Sequence, residues 1–365
     1  MVKFLNFIYS IINTQELFNN QEYLRAFQKR TVLKMKKIIG ALLFGIMITS
    51  CEKVLIPDDP ANTQENNFEF FWKTLDEKYS YFDYKRVDWD SVYHVYKPGI
   101  NNGMNDSLLF NLFTEMIALL KDGHISLASP FYKVYWGWFL GAPANFNKEI
   151  LFNNYLKNDY LSSGSLIYKI IDSVGYIYCN NLSESILPKH LDEIMEYLKS
   201  TKGIIVDIRN NAGGEVLYAQ RIAARFNPKE KLVSYWLFKN GPGHNDFTEP
   251  VPYYLSSTGE KAYTKPVILL VNRLCFSAAN DLTLMFKTLP NATIVGDTTG
   301  GGGGIPMQTE LPNGWILGFS TTQTLSPEKE HVENGIPPHL LVFMTEEDEK
   351  NGIDPLIETA LMKLK

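Results

Sequence analysis

The sequence predicts an α/β fold, on three observations. Residues 204–208, apolar but for Asp207, and residues 267–271, apolar throughout, are short runs with the pattern of strands buried on both faces. Each is followed by a stretch with helical apolar spacing, at residues 215–226 and 277–289. The first strand is followed by a glycine-rich stretch, Asn210-Asn211-Ala212-Gly213-Gly214, and the second run ends at Asn272, before Ser277-Ala278-Ala279 at the start of its helix. Strands alternating with helices build a sheet covered by helices.

The first fifty residues stand apart. Met35-Lys36-Lys37 is a basic head, residues 38–48 are an apolar run too short to span a bilayer comfortably, and Thr49-Ser50-Cys51 is a small-residue exit. The end, Ile48-Thr49-Ser50-Cys51, resembles the lipobox of bacterial lipoproteins. That resemblance implies a lipid on Cys51 and a chain anchored to a membrane of the cell envelope. Residues 35–50 thus read as a lipoprotein signal peptide, and residues 1–34 as an upstream start preceding the true one at Met35. Residues 51–65, with Pro57-Asp58-Asp59-Pro60, read as a tether.

Residues 66–129 read as a small helical N-terminal domain. Phe68, Phe71, Trp72, Leu75 and Tyr79 lie at helical spacing, as do Leu108, Leu109, Leu112, Phe113, Met116, Ile117 and Leu120. Residues 130–365 read as the core. Strands are predicted at 166–171 and 174–179, a helix at 188–200, and further strands at 232–238 and 293–295. A hairpin turns at Pro312-Asn313-Gly314, and a helix near 353–364 closes the chain.

Composition narrows the function. The first fifty residues carry seven Lys/Arg and two Asp/Glu, which leaves 28 basic and 38 acidic side chains beyond them, a formal charge of −10. An acidic chain argues against nucleic acid as a partner. Cys179 and Cys275 lie in or beside apolar runs and read as buried free thiols. The histidines show no metal-ligand spacing.

Gly213-Gly214 at a strand end can bring bare backbone N–H groups against a ligand. Ser277, at a strand-to-helix turn, can present a nucleophilic hydroxyl to such donors. The pair suggests an oxyanion hole of Gly213 or Gly214 with Ala278. Read singly, Ser277 also suits a helix N-cap, the glycines a tight turn, His124 a helix C-terminus and Glu333 an exposed loop.

Four motifs occur in order: Asp122-Gly123-His124, Asp207-Ile208-Arg209-Asn210-Asn211-Ala212-Gly213-Gly214, Ser277-Ala278-Ala279-Asn280 and Val295-Gly296-Asp297-Thr298-Thr299-Gly300. Together they resemble the tail-specific (C-terminal processing) protease and tricorn-core family of serine peptidases, S41. The resemblance implies a ClpP/crotonase-like core with a small helical N-terminal domain, a polypeptide substrate and no cofactor. It also implies Ser277 as nucleophile. In the processing proteases a lysine serves as base, but Gly302 stands at its position here, and Lys287 reads as a solvated side chain. The tricorn-like branch uses a histidine backed by a glutamate, which implies His124 and, from Glu333-Asn334-Gly335, Glu333. That branch places a serine directly before the histidine, where this chain has Gly123. About forty residues separate His124 from the strand at Leu166, too few for the PDZ domain many members carry there. The expectation is an envelope-anchored serine peptidase. The alternative is a non-catalytic ligand- or peptide-binding lipoprotein on the same fold.

Overall fold

The computed structural model describes residues 60–365, so the expected signal peptide and Cys51 lie outside the described residues. The chain begins with helices α1 (Gln64–Lys78), α2 (Phe82–Lys85), α3 (Trp89–Tyr96) and α4 (Asp106–Ala118). Three of them start at a side chain that accepts a first-turn N–H: Thr63 from Asn66, Asp88 from Ser91, and Asn105 from Leu108. Such caps satisfy donors the helix cannot satisfy itself.

The strands are β1 (Ser126–Ala128), β2 (Lys133–Tyr135), β3 (Leu161–Ser163), β4 (Leu166–Ile171), β5 (Val174–Tyr178), β6 (Ile204–Asp207), β7 (Lys231–Phe238), β8 (Val251–Leu255), β9 (Val267–Val271), β10 (Ala292–Gly296), β11 (Pro306–Glu310), β12 (Ile316–Ser320), β13 (Thr322–Leu325) and β14 (Leu340–Leu341). The later helices are α5 (Pro188–Leu198), α6 (Val216–Ala224), α7 (Ala278–Thr288), α8 (Glu346–Asn351) and α9 (Pro355–Leu364).

The main sheet runs β14-β10-β9-β6-β5-β4-β3. Its strands β5, β6, β9, β10 and β14 are parallel, while β3 and β4 pair antiparallel at one edge. Alternation along β9 explains why the run is wholly apolar. Val267, Leu269 and Val271 pack with α5, α6 and α7, whereas Ile268 and Leu270 pack with Leu356, Ile357 and Ala360 of α9. Because β6 and β9 are adjacent and parallel, the loops that follow them emerge at the same sheet edge.

The N-terminal helices bury Phe68, Phe71 and Leu75 against α4, with the Phe71 and Phe113 rings stacked at 4.0 Å. The same cluster takes in Leu311, Trp315, Leu317 and Phe319 from the β11–β12 hairpin. The helices therefore share a core with a hairpin two hundred positions later rather than closing one alone. The sheet β11-β12-β1-β2 forms that shared wall, and Ser80 fixes it by donating from both its N–H and Oγ to the Ser320 carbonyl.

Arg209, at the end of β6, is wholly buried. Its guanidinium meets both oxygens of Asp207 and both oxygens of Asp354, and it lies over the Phe146 ring at 4.7 Å. Asp354 also caps α9, so this cluster fastens α9 to the sheet edge that carries the site. Arg209→Met would leave two buried carboxylates without their cation. We expect a loss of about 3–5 kcal/mol in urea unfolding. A loss below about 1 kcal/mol would show that the cluster is dispensable.

Candidate active site

Ser277 stands on the turn between β9 and α7 with φ 56° and ψ −124°. A non-glycine residue there is strained by about 1–3 kcal/mol and persists only where its surroundings fix it. Here they do. The Ser277 N–H donates to the Gly301 carbonyl at 2.8 Å, and the Phe276 N–H donates to the Asn211 carbonyl at 3.1 Å. Ser277 stands at the N-cap position of α7, but its hydroxyl makes no capping bond to the helix. The hydroxyl instead lies 3.0 Å from Nε2 of His124.

His124 follows α4 on a turn in which Asp122 Oδ1 accepts the His124 N–H at 2.7 Å. Its ring packs on Phe276, with centroids 4.8 Å apart, and Phe276 in turn stacks on Phe139. Burial pushes the imidazole below its ordinary range; Asp122 pulls it up and the Lys85 ammonium pushes it down. His124 is therefore poised as a neutral base. With the proton on Nδ1, Nε2 can accept from the serine hydroxyl. Among the described residues, Nδ1 has no hydrogen-bond partner.

The Gly213-Gly214 turn lies against the nucleophile. A Cβ on Gly213 would fall 2.9 Å from Ser277 Cβ and 3.0 Å from the Ala278 nitrogen; one on Gly214 would fall 2.2 Å from the Leu182 carbonyl. Both positions also have φ near or above +100° (99° and 138°), so glycine is required twice over. The two amides differ. The Gly213 N–H is taken by Asn211 Oδ1 at 2.9 Å. Among the described residues no acceptor meets the Gly214 or Ala278 N–H. Gly214 and Ala278 thus offer the free donors.

Glu333 is buried in the same region, but its bonds go elsewhere than expected. Oε1 accepts from Lys85 Nζ at 2.8 Å and Oε2 from the Gly303 N–H at 2.9 Å, and neither oxygen is bonded to the His124 ring. Burial, with the Asp122 charge nearby, pushes its carboxyl up, while the Lys85 ammonium and the Gly303 N–H pull it back down. Gly302 is the position at which the resemblance noted in the sequence implied a lysine in the processing proteases. A Cβ there would lie 2.6 Å from the Phe276 ring and 3.1 Å from His124 Cε1, so these rings occupy the slot. Lys287 is exposed on α7, far along the helix from Ser277. Cys179 and Cys275 are free and buried, and burial pushes both thiols up to about 12.

Sequence reasoning missed Lys85. In Phe82-Asp83-Tyr84-Lys85 it reads as an ordinary surface lysine, and its partner lies 248 positions away. It also missed the clip in which Thr299 Oγ1 donates to Asn280 Oδ1 and accepts from the Ile336 N–H.

Comparison with known proteins agrees with this architecture. The profile of peptidase family S41 matches residues 173–342, and that of the tricorn protease C1 domain matches residues 60–118. A solved structure of a candidate peptidase from Parabacteroides merdae ATCC 43184 is 42% identical, with a TM-score of 0.79, and the match covers 83% of this chain and 97% of that one. The chain belongs to peptidase family S41. Its ClpP/crotonase-type α/β core with a helical N-terminal region is the fold of that family. The photosystem II D1 C-terminal processing protease shares the fold at 13% identity, with a TM-score of 0.53 over 78% of this chain and 94% of that one. The carboxy-terminal processing protease CtpA of Bacillus subtilis (strain 168) is 27% identical over 172 residues, 46% of this chain and 35% of that protein. The chain thus spans about a third of the length of such curated S41 relatives.

Proposed function

We propose that this S41 member is a serine peptidase in which Ser277 is the nucleophile and His124 the general base. The observation that carries the reading is the 3.0 Å approach of Ser277 Oγ to His124 Nε2 on a strained turn that leaves the hydroxyl free of any helix cap. In the first step Oγ attacks the scissile carbonyl carbon while its proton passes to Nε2. The carbonyl oxygen takes the electron pair and meets the Gly214 and Ala278 N–H groups. Each such donor contributes roughly 2.7–4 kcal/mol to the transition state. The C–N bond then breaks, and Nε2 returns the proton to the leaving amine. Water, deprotonated by His124, hydrolyses the acyl-enzyme and restores the Ser277 hydroxyl.

Incubation with a fluorophosphonate probe and with a denatured protein substrate tests this. Labelling at Ser277 and cleavage are expected. A folded protein inert to both would favour the non-catalytic binder.

We also propose that the mature protein is anchored to a bacterial membrane through lipid on Cys51. The support is the basic head, apolar run and Ile48-Thr49-Ser50-Cys51 ending. Among the described residues no helix is long and apolar enough to cross a membrane. Cys51→Ala should block maturation or move the protein out of the membrane fraction. Unaltered processing and fractionation would refute the anchor.

A further inference from the structure

Lys85 takes no part in the steps above, yet its placement demands an explanation. It ends α2, and its side chain is only 8% exposed. A buried ammonium is costly unless charged and polar partners surround it. Two do: the Glu333 carboxylate at 2.8 Å and the Lys121 carbonyl at 2.9 Å.

These partners belong to the two halves of the site. Lys121 directly precedes Asp122, whose carboxylate accepts the His124 N–H and shapes the loop that carries the base. Glu333 holds the other half. Its carbonyl accepts the Gly302 N–H and its Oε2 accepts the Gly303 N–H, both at 2.9 Å. The carbonyl of neighbouring Gly301 accepts the Ser277 N–H. A single ammonium therefore stands between the loop that presents the base and the loop that seats the nucleophile.

Other groups face this cluster without making that link. Asp122 lies near Glu333, and the phenols of Tyr79, Tyr81 and Tyr84 are pushed up by burial with Glu333 nearby, Tyr79 and Tyr81 with Asp122 as well. The Tyr79 and Tyr81 hydroxyls and Asp122 Oδ2 are buried beside this cluster.

We propose that Lys85 is a positioning residue that links the His124 loop to residues 301–303 and so keeps the base at hydrogen-bond distance from Ser277. The proposal rests on the Ser277/His124 reading, and Lys85 itself touches no reacting atom. A misplacement of about 1 Å between reacting groups can cost on the order of 10²-fold in rate.

Lys85→Met keeps the length of the side chain and removes the link. We expect kcat to fall about 10²-fold, with KM little changed. The acid limb of the pH–rate profile should move to higher pH, because the Lys85 charge no longer depresses His124. Hydrogen exchange should quicken in both the 121–124 and 301–303 loops. The double variant Lys85→Met with Glu333→Gln removes the buried unpaired carboxylate. It should regain thermal stability but not kcat. Recovery of kcat in the double variant would overturn the proposal, since Lys85 would then merely neutralise Glu333. So would an unchanged kcat in the single variant. Should Lys85→Met fail to fold, Lys85→Arg keeps the charge with another geometry, and an intermediate loss of kcat is expected; full activity there would count against the link. A wild-type protein that neither cleaves nor labels would sink the Ser277/His124 reading. The exchange measurement decides the link separately: protection lost in both loops supports it, and protection kept in either overturns it.

Discussion

Ser277→Ala is expected to abolish peptide cleavage and fluorophosphonate labelling while leaving the protein folded. The substitution removes one oxygen. That oxygen caps nothing on α7, and among the described residues its one hydrogen-bond partner is His124 Nε2. Stability should therefore change by less than about 1 kcal/mol, below the usual cost of losing a cap. The strained turn persists, because it is set by the Gly301 carbonyl and the Gly213 contact rather than by the hydroxyl. The effect on chemistry is of another order. Loss of a nucleophilic serine in such a site costs about 10⁶-fold in kcat, the remainder coming from oxyanion donors and binding. Urea unfolding beside a cleavage assay separates the two effects. A folded alanine variant that cleaves at the wild-type rate would remove Ser277 from the mechanism.

The parts of this site that could be read in the sequence are those fixed by local rules. Gly213-Gly214 on the turn after a buried strand signals a backbone approach that no Cβ would permit, and the structure places that approach against Ser277 Cβ. Strands β6 and β9 were legible because both of their faces are buried, which makes Ile204–Val206 and Val267–Val271 apolar. Strands β1, β2, β8 and β13 were not legible. They are short or half-exposed, and two of them pair far along the chain, β1 beside β12 and β13 beside β7. The strand at 232–238 was foreseen, but not that β7 leaves the main sheet to pair with β8 and β13. The helical stretch 66–121 was legible from its stripe, whereas its reliance on Trp315 and Phe319 was not, since nothing local encodes a contact across two hundred residues. Glu333 shows the same limit within the site. A motif can nominate a carboxylate, but its bonds were decided by Lys85, whose position depends on how α2 meets the 333 segment.

His124→Ala should cut cleavage by about two to four orders of magnitude, the range for losing a general base. Lys287→Ala should change little, because that side chain is exposed and the place of a dyad lysine is filled by Phe276 and His124. The pH dependence gives a sharper check. Burial lowers the His124 pKa from its ordinary 6.5, so the neutral, proton-accepting form persists to lower pH than in a free histidine. The wild-type rate should rise with pH and reach its plateau with a midpoint below 6.5, and in His124→Ala that limb should vanish from the residual activity. The same shift acts on stability. Between the lowered value and 6.5 the unfolded chain binds a proton that the folded protein does not, so stability falls as pH drops through that window. His124→Ala should remove that part of the acid sensitivity along with the activity. A variant that keeps near-normal turnover, or whose rate still titrates with the wild-type midpoint, would mean that some other group takes the serine proton. The 3.0 Å contact between imidazole and hydroxyl would then be packing rather than chemistry.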